Sequence, residues 1–359
     1  MFDKLGKLFQ SRPQRPYRLF QIEPSLECNL DCVMCPWREL RPESAQMSWE
    51  TFSRIAAYLP LAQGVDFTGG GEPTTNPLLD EMVRSAREAG CTVGFSTNAT
   101  LLDQGLAETL VALGQDWISF SVDGATAETY ERIRQGSSFD TVLQNIETLH
   151  RIKQKRGVQT PRMMMVFVMM QENYHELPRY VELAHELGVE HIIFKNLDVI
   201  LKDEDDRRRM FSHNGVVAPD LEQTLAEAKR LARQHAIGLR LYELQPREQP
   251  ICEHDPLHNL FFNWAGLVSP CITLAYAEQR VFNGQQIFVP PRQFGDINRQ
   301  TLEEIWHQPD YQAFRHTFQA RVRHQREALL SALVGSESGD QPLPPAPDVC
   351  QTCYYLYGI

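Results

Sequence analysis

Three cysteines, Cys28, Cys32 and Cys35, crowd into eight residues directly after an apolar segment that reads as a strand. A loop that must bring three thiols together is tied to what it binds, so this feature limits the fold more than any other. Thiolates are soft ligands suited to iron with sulfide. Three of them on a four-iron cluster leave one iron free for a substrate or cofactor, which makes a site for reaction. A tetrahedral zinc knuckle closed by a distant fourth ligand is the structural alternative. Of the other five cysteines, Cys252 with Cys271 and Cys350 with Cys353 form two further groups, and Cys91 stands alone.

At 359 residues the chain can bury a full-sized core, either one large domain with a smaller one or one with a long C-terminal extension. Its formal net charge of -11 leaves no excess of Lys and Arg to neutralise phosphates, so nucleic acid is not an expected principal partner. Residues 1–16 are mildly basic but lack the apolar stretch and cleavage site of a secretory signal. No apolar run reaches transmembrane length, so no membrane is expected. These features predict a cytoplasmic protein, in which clustered thiols stay reduced and bind metal.

From about residue 17 to 200 strand-like and helix-like segments alternate: strands near Tyr17, Gly64, Thr92, Trp117, Met163 and His191, with helices between. Six such passes predict an α/β domain with a large parallel sheet whose strand ends carry the functional loops. Residues 1–16 form an N-terminal extension. Residues 201–248 read as a charged, solvated excursion from Lys202 followed by a helix from Leu221 to His235 and a strand near Leu239. Residues 249–359 form a less regular C-terminal domain, with a hairpin near Phe261 and a Gly, Ser and Pro-rich linker over 335–348. Cys91 opens a core strand and is assigned to burial.

The strand-end loops add polar groups. Gly70, Gly71 and Glu72 follow the second strand, where small residues allow close backbone approach and Glu72 with strand-end carbonyls can receive an ammonium group. Ser96 and Asn98 end the third strand, Ser121 and Asp123 the fourth, and Lys195 the sixth. Each also has a local reading, as a turn residue or a rim charge.

Taken together, C-x3-C-x2-C after the first strand and the Gly-Gly-Glu-Pro segment after the second resemble the radical S-adenosylmethionine enzymes. The resemblance implies a partial (β/α)6 TIM-like barrel. It implies that Cys28, Cys32 and Cys35 bind a [4Fe-4S] cluster whose open iron is chelated by S-adenosylmethionine, with Gly70, Gly71, Glu72, Ser96, Asn98, Ser121, Asp123 and Lys195 as candidate contacts. Cys252, Gly266, Cys271, Cys350 and Cys353 resemble a C-terminal SPASM/twitch-like extension holding one auxiliary [4Fe-4S] cluster. Four thiolates around zinc are the alternative there. The terminal Tyr354–Tyr357 segment can seal such a site.

The leading expectation is a radical oxidoreductase that takes a carbon-bound hydrogen from a small metabolite such as a sugar or aminocyclitol. The auxiliary cluster would be the second electron sink. Maturation of a ribosomally made peptide by crosslinking or oxidation is the second reading, and epimerisation the third. A zinc-stabilised interaction protein is the non-catalytic one. A reductant such as flavodoxin or ferredoxin is the implied partner beside the small molecule or peptide.

Overall fold

The computed structural model describes residues 15–40, 45–212, 218–333 and 342–359. Most of the N-terminal extension, residues 41–44 and 213–217, and part of the 335–348 linker lie outside the described residues. The centre is a sheet of parallel strands, β1 (Tyr17–Ile22), β2 (Ala62–Asp66), β3 (Thr92–Thr97), β4 (Trp117–Ser121), β5 (Arg162–Met169) and β6 (His191–Asn196), paired in chain order. Successive side chains of a strand point to opposite faces. Phe20, Val65, Phe95, Phe120, Phe167 and Phe194 are fully buried in the main core. Ser96, Ser121 and Lys195 fall on the opposite face and line cavities. One face of each strand thus builds the core, and the other turns towards the cavities.

The helices between strands are amphipathic and locally capped. Asp103 accepts the Leu106 N–H at the start of α1 (Gln104–Ala112), and Ser138 accepts that of Thr141 at the start of α2 (Phe139–Arg156). Val142, Ile146 and Leu149 bury one stripe of α2, and Gly157 ends it in the left-handed region.

The sheet continues past both expected boundaries of the 17–200 unit. β7 (Gly238–Leu241) pairs parallel with β6 at one end. At the other, β8 (Asn259–Phe262) pairs parallel with β1, then turns at Gly266 (φ +87°) into antiparallel β9 (Leu267–Ser269). The expected hairpin therefore forms, and it also extends the barrel sheet. The result is a mixed, partly open sheet of ten strands among the described residues, a partial TIM-like barrel with the C-terminal extension joined to it.

Two segments differ from expectation. The charged excursion folds into a short helix, Asp203–Arg208, with none of its residues buried. Residues read as irregular contain a 25-residue helix, Pro309–Leu333, which buries Tyr311, Phe314, Phe318 and Arg321. Its apolar stripe is confined to the first half, which weakened the periodic signal. No helix among the described residues is long and apolar enough to cross a membrane.

Candidate active site

The Cys28–Cys35 loop leaves β1 and is fastened to the end of the helix Ala127–Ile133. The Val33 N–H donates to the Ile133 carbonyl (3.0 Å) and the Asp31 N–H to that of Gln135 (2.9 Å). Cys32 is buried, and Cys28 and Cys35 are half-buried. Donors reach the sulfurs: the Leu30 N–H is 3.5 Å and the Asn98 amide 3.8 Å from Cys28 Sγ, and the Arg134 guanidinium 3.9 Å from Cys32 Sγ. Burial pushes the Cys32 thiol up to about 11 against the opposing charge of Arg134. Arg134 lies 2.7 Å from the fully buried Asp123 carboxylate. Burial works against its charge, but Asp123 and Cys32 hold its pKa above the ordinary arginine value.

All three thiols face a cavity of about 260 Å³ at the strand ends, bordered also by Gly70, Gly71, Glu72, Ser96, Asn98, Ser121, Arg134 and Lys195. The glycines are required by packing. A Cβ at Gly71 would lie 2.3 Å from the Glu27 carbonyl oxygen, and one at Gly70 2.7 Å from Leu26. Here the strand-end loop is pressed against the segment that enters the cysteine loop, and only backbone fits.

Two candidates do not offer the group expected of them. The Glu72 carboxylate is buried and already bonded within the protein: it accepts from the Thr97 hydroxyl (2.7 Å), the Asn98 N–H (2.7 Å), and the Thr74 hydroxyl (2.6 Å) and N–H (3.1 Å). It therefore ties β3 to the glycine loop. Asp123 does not border the cavity. It accepts from the Val168 N–H (2.7 Å) and acts on the cavity through Arg134. Lys195 stands on the far wall, with Nζ 2.8 Å from Asp198 and 2.7 Å from the Tyr355 hydroxyl. Sequence reasoning missed Arg134, Asp198 and Trp37 on the cavity wall, because nothing local marks a residue brought there by a neighbouring loop.

The other cysteine group assembles from distant segments. Cys350 is buried, while Cys252, Cys271 and Cys353 are half-buried. Burial pushes Cys271 up to about 11 and Cys252 and Cys350 further, and each is raised again by the charges of its companions. Arg280, ion-paired to Glu278, supplies the compensating charge. A cavity of about 240 Å³ beside Cys252 is bordered by Tyr355, the same residue that touches Lys195. Cys91 is buried and hydrogen-bonded to backbone carbonyls, away from both groups.

A three-thiol and a four-thiol set, each with a buried arginine, suit iron–sulfur clusters in donor chemistry. Among the described residues no three His, Cys, Asp or Glu side chains close on a single point as one metal ion requires. A family model described as Radical SAM superfamily matches residues 22–184, and one described as SPASM, an iron-sulfur cluster-binding domain, matches residues 252–330. The chain is a radical SAM enzyme with a SPASM-type extension. Its cofactors are S-adenosylmethionine with a [4Fe-4S] cluster, and an auxiliary iron–sulfur cluster. That replaces the reading as a zinc-stabilised interaction protein.

The chain is similar to the tungsten-containing aldehyde ferredoxin oxidoreductase cofactor-modifying protein of Pyrococcus furiosus, 26% identical over 82% of each chain. It is 32% identical to the AdoMet-dependent heme synthase of Methanosarcina barkeri over 48% of each chain. Among solved structures, Streptococcus suis SuiB with its precursor peptide SuiA superposes with TM-score 0.59 and 14% identity, over 99% of this chain and 73% of that one. The structure of anSMEcpe with AdoMet superposes with TM-score 0.61 and 17% identity, over 84% and 83%.

Proposed function

We propose that this radical SAM enzyme removes a carbon-bound hydrogen from a side chain of a peptide and oxidises or crosslinks it. The carrying observation is the cavity at the strand ends, whose lining reaches from the first three thiols to a lysine bonded to the auxiliary segment. Cys28, Cys32 and Cys35 form one wall, and Lys195 on the other touches Tyr355, two residues beyond Cys353. A substrate held there lies between an electron source and an electron sink.

Cys28, Cys32 and Cys35 would hold the cluster that binds S-adenosylmethionine, and Cys252, Cys271, Cys350 and Cys353 the auxiliary one. When bound, these groups supply a 5′-deoxyadenosyl radical and an acceptor for the second electron. The backbone of Gly70 and Gly71 with Ser96, Asn98 and Ser121 would orient S-adenosylmethionine. Arg134 balances the thiolate charge beside Cys32. Lys195 can orient a carboxylate by exchanging Asp198 or Tyr355 for it.

The peptide reading now stands ahead of the small metabolite. Its support is at the level of fold: SuiB has been solved with a precursor peptide, and anSMEcpe with peptides. A small molecule is the second reading, favoured by the Pyrococcus furiosus relative, whose name describes a cofactor-modifying protein. Anaerobic reconstitution with a reductant such as flavodoxin or ferredoxin, S-adenosylmethionine, and either peptides encoded nearby or metabolites separates the two. Deoxyadenosine formed together with a peptide two hydrogens lighter is the expected result. Product of unchanged mass would turn the assignment to epimerisation, and turnover of metabolites alone would turn it to the second reading.

A further inference from the structure

Glu23, the residue that follows β1, is completely buried and absent from the chemistry above. One carboxylate oxygen accepts the Gly70 N–H at 2.7 Å. The other accepts the Trp264 N–H at 3.2 Å and the Tyr276 hydroxyl. Gly70 belongs to the glycine loop on the cavity wall. Trp264 lies in the turn between β8 and β9, and Tyr276 follows Cys271, so both belong to the C-terminal extension.

We propose that Glu23 is a positioning residue that couples the S-adenosylmethionine side of the cavity to the auxiliary extension, its carboxylate clamping the glycine loop against the Trp264 turn and Tyr276. This rests on the reading of the glycine loop as part of the S-adenosylmethionine site.

Packing and hydrogen-bond chemistry support the clamp independently. A Cβ at Gly69 would meet the Glu23 side chain at 2.2 Å, so carboxylate and loop are in full contact. Tyr276 packs edge-on against Trp37, and Trp37 in turn covers the Gly70 position and borders the cavity. All three partners of Glu23 are donors. An ionised carboxylate accepts from all three most strongly, and protonation weakens these charge-assisted bonds.

Burial opposes that ionisation and raises the Glu23 pKa to about 7, with the hydrogen bonds from Gly70, Tyr276 and Trp264 pulling the other way. From the elements packed against it, Tyr276 is the titratable side chain that faces it among the described residues. Burial beside Glu23 raises the Tyr276 pKa too, so it remains a donor. The clamp is thus strongest above about pH 7 and weakens below it.

The test is S-adenosylmethionine binding to the reconstituted, reduced holoenzyme from pH 6 to 8.5, with the auxiliary-cluster paramagnetic spectrum recorded before and after addition. In the wild type, affinity is expected to fall several-fold as pH drops through about 7, and S-adenosylmethionine to perturb the auxiliary spectrum. Glu23→Gln should bind weakly at every pH and lose the perturbation. Tyr276→Phe is the milder variant. It removes one donor, raises the Glu23 pKa and should move the midpoint to higher pH. Wild-type affinity and pH profile in Glu23→Gln, or an unmoved midpoint in folded Tyr276→Phe, would overturn the coupling while leaving the S-adenosylmethionine site standing. Absence of S-adenosylmethionine binding in the wild type at any pH would sink both.

Discussion

The two sulfur groups differ in how far the chain travels to build them, and their surroundings differ accordingly. Cys28, Cys32 and Cys35 share one loop at the mouth of a partial barrel, beside a cavity lined by polar strand ends. Cys252, Cys271, Cys350 and Cys353 meet only after the chain has laid β8 on β1 and brought its C-terminus back. The local group is left open on one side, as a site for exchange of ligands requires. The distant group is more deeply enclosed, and burial raises the pKa of Cys252, Cys271 and Cys350. Both are balanced by a buried ion pair, Arg134 with Asp123 at one and Arg280 with Glu278 at the other. Burial holds thiols of both groups well above the usual thiol pKa, so metal binding must displace those protons.

Removing thiols should break the comparison most sharply. Cys28→Ala, Cys32→Ala or Cys35→Ala is expected to abolish formation of deoxyadenosine and lower iron from about eight to about four per chain. Cys252→Ala or Cys271→Ala should lose a similar amount of iron and the oxidised product, yet still release deoxyadenosine. Equal loss of S-adenosylmethionine cleavage from both groups would erase the distinction between open and enclosed sites.

A smaller effect is expected at the ion pair. Arg134→Met leaves Asp123 buried without its partner and should cost about 3–5 kcal/mol, read as a lower denaturation midpoint. Arg134→Met with Asp123→Leu should recover part of that stability. The double variant is nonetheless expected to keep a shifted reduction potential at the primary cluster alone, because the charge beside Cys32 is gone.

The smallest effect concerns the lower barrel. Asp66 is half-buried on a cavity inside the barrel, and desolvation raises its pKa to about 7 from 3.8, against hydrogen bonds from Thr68. The folded state therefore holds a proton that the unfolded chain releases above about pH 4, so this residue lowers stability as pH rises from about 4 to 7. Asp66→Asn should flatten that part of the profile and add on the order of 1–2 kcal/mol at pH 8, measured by denaturant unfolding at several pH values. An unchanged slope would show that Asp66 is ionised at little cost.

Much of the barrel was legible because its signals are local. Alternating apolar runs marked all six strands near their observed positions, and the three-cysteine spacing marked the loop after β1. The paired spacing of Cys252 with Cys271 and Cys350 with Cys353 also marked the auxiliary extension. Glu72 and Asp123 were visible as polar strand-end residues, but their partners were not. Whether a carboxylate faces a ligand or is filled by Thr74, Thr97 and Asn98 depends on where three other segments come to rest.

By itself the sequence determined which residues can bind soft metals and where the chain must be extended or helical. Those properties belong to individual side chains and to spacings of a few residues. Tertiary structure alone decided that β8 joins β1, that Lys195 donates to Tyr355, and that Glu23 accepts from Gly70, Trp264 and Tyr276. Such contacts join residues up to 253 positions apart, and they exist only once burial of the apolar strand faces has fixed the elements that carry them.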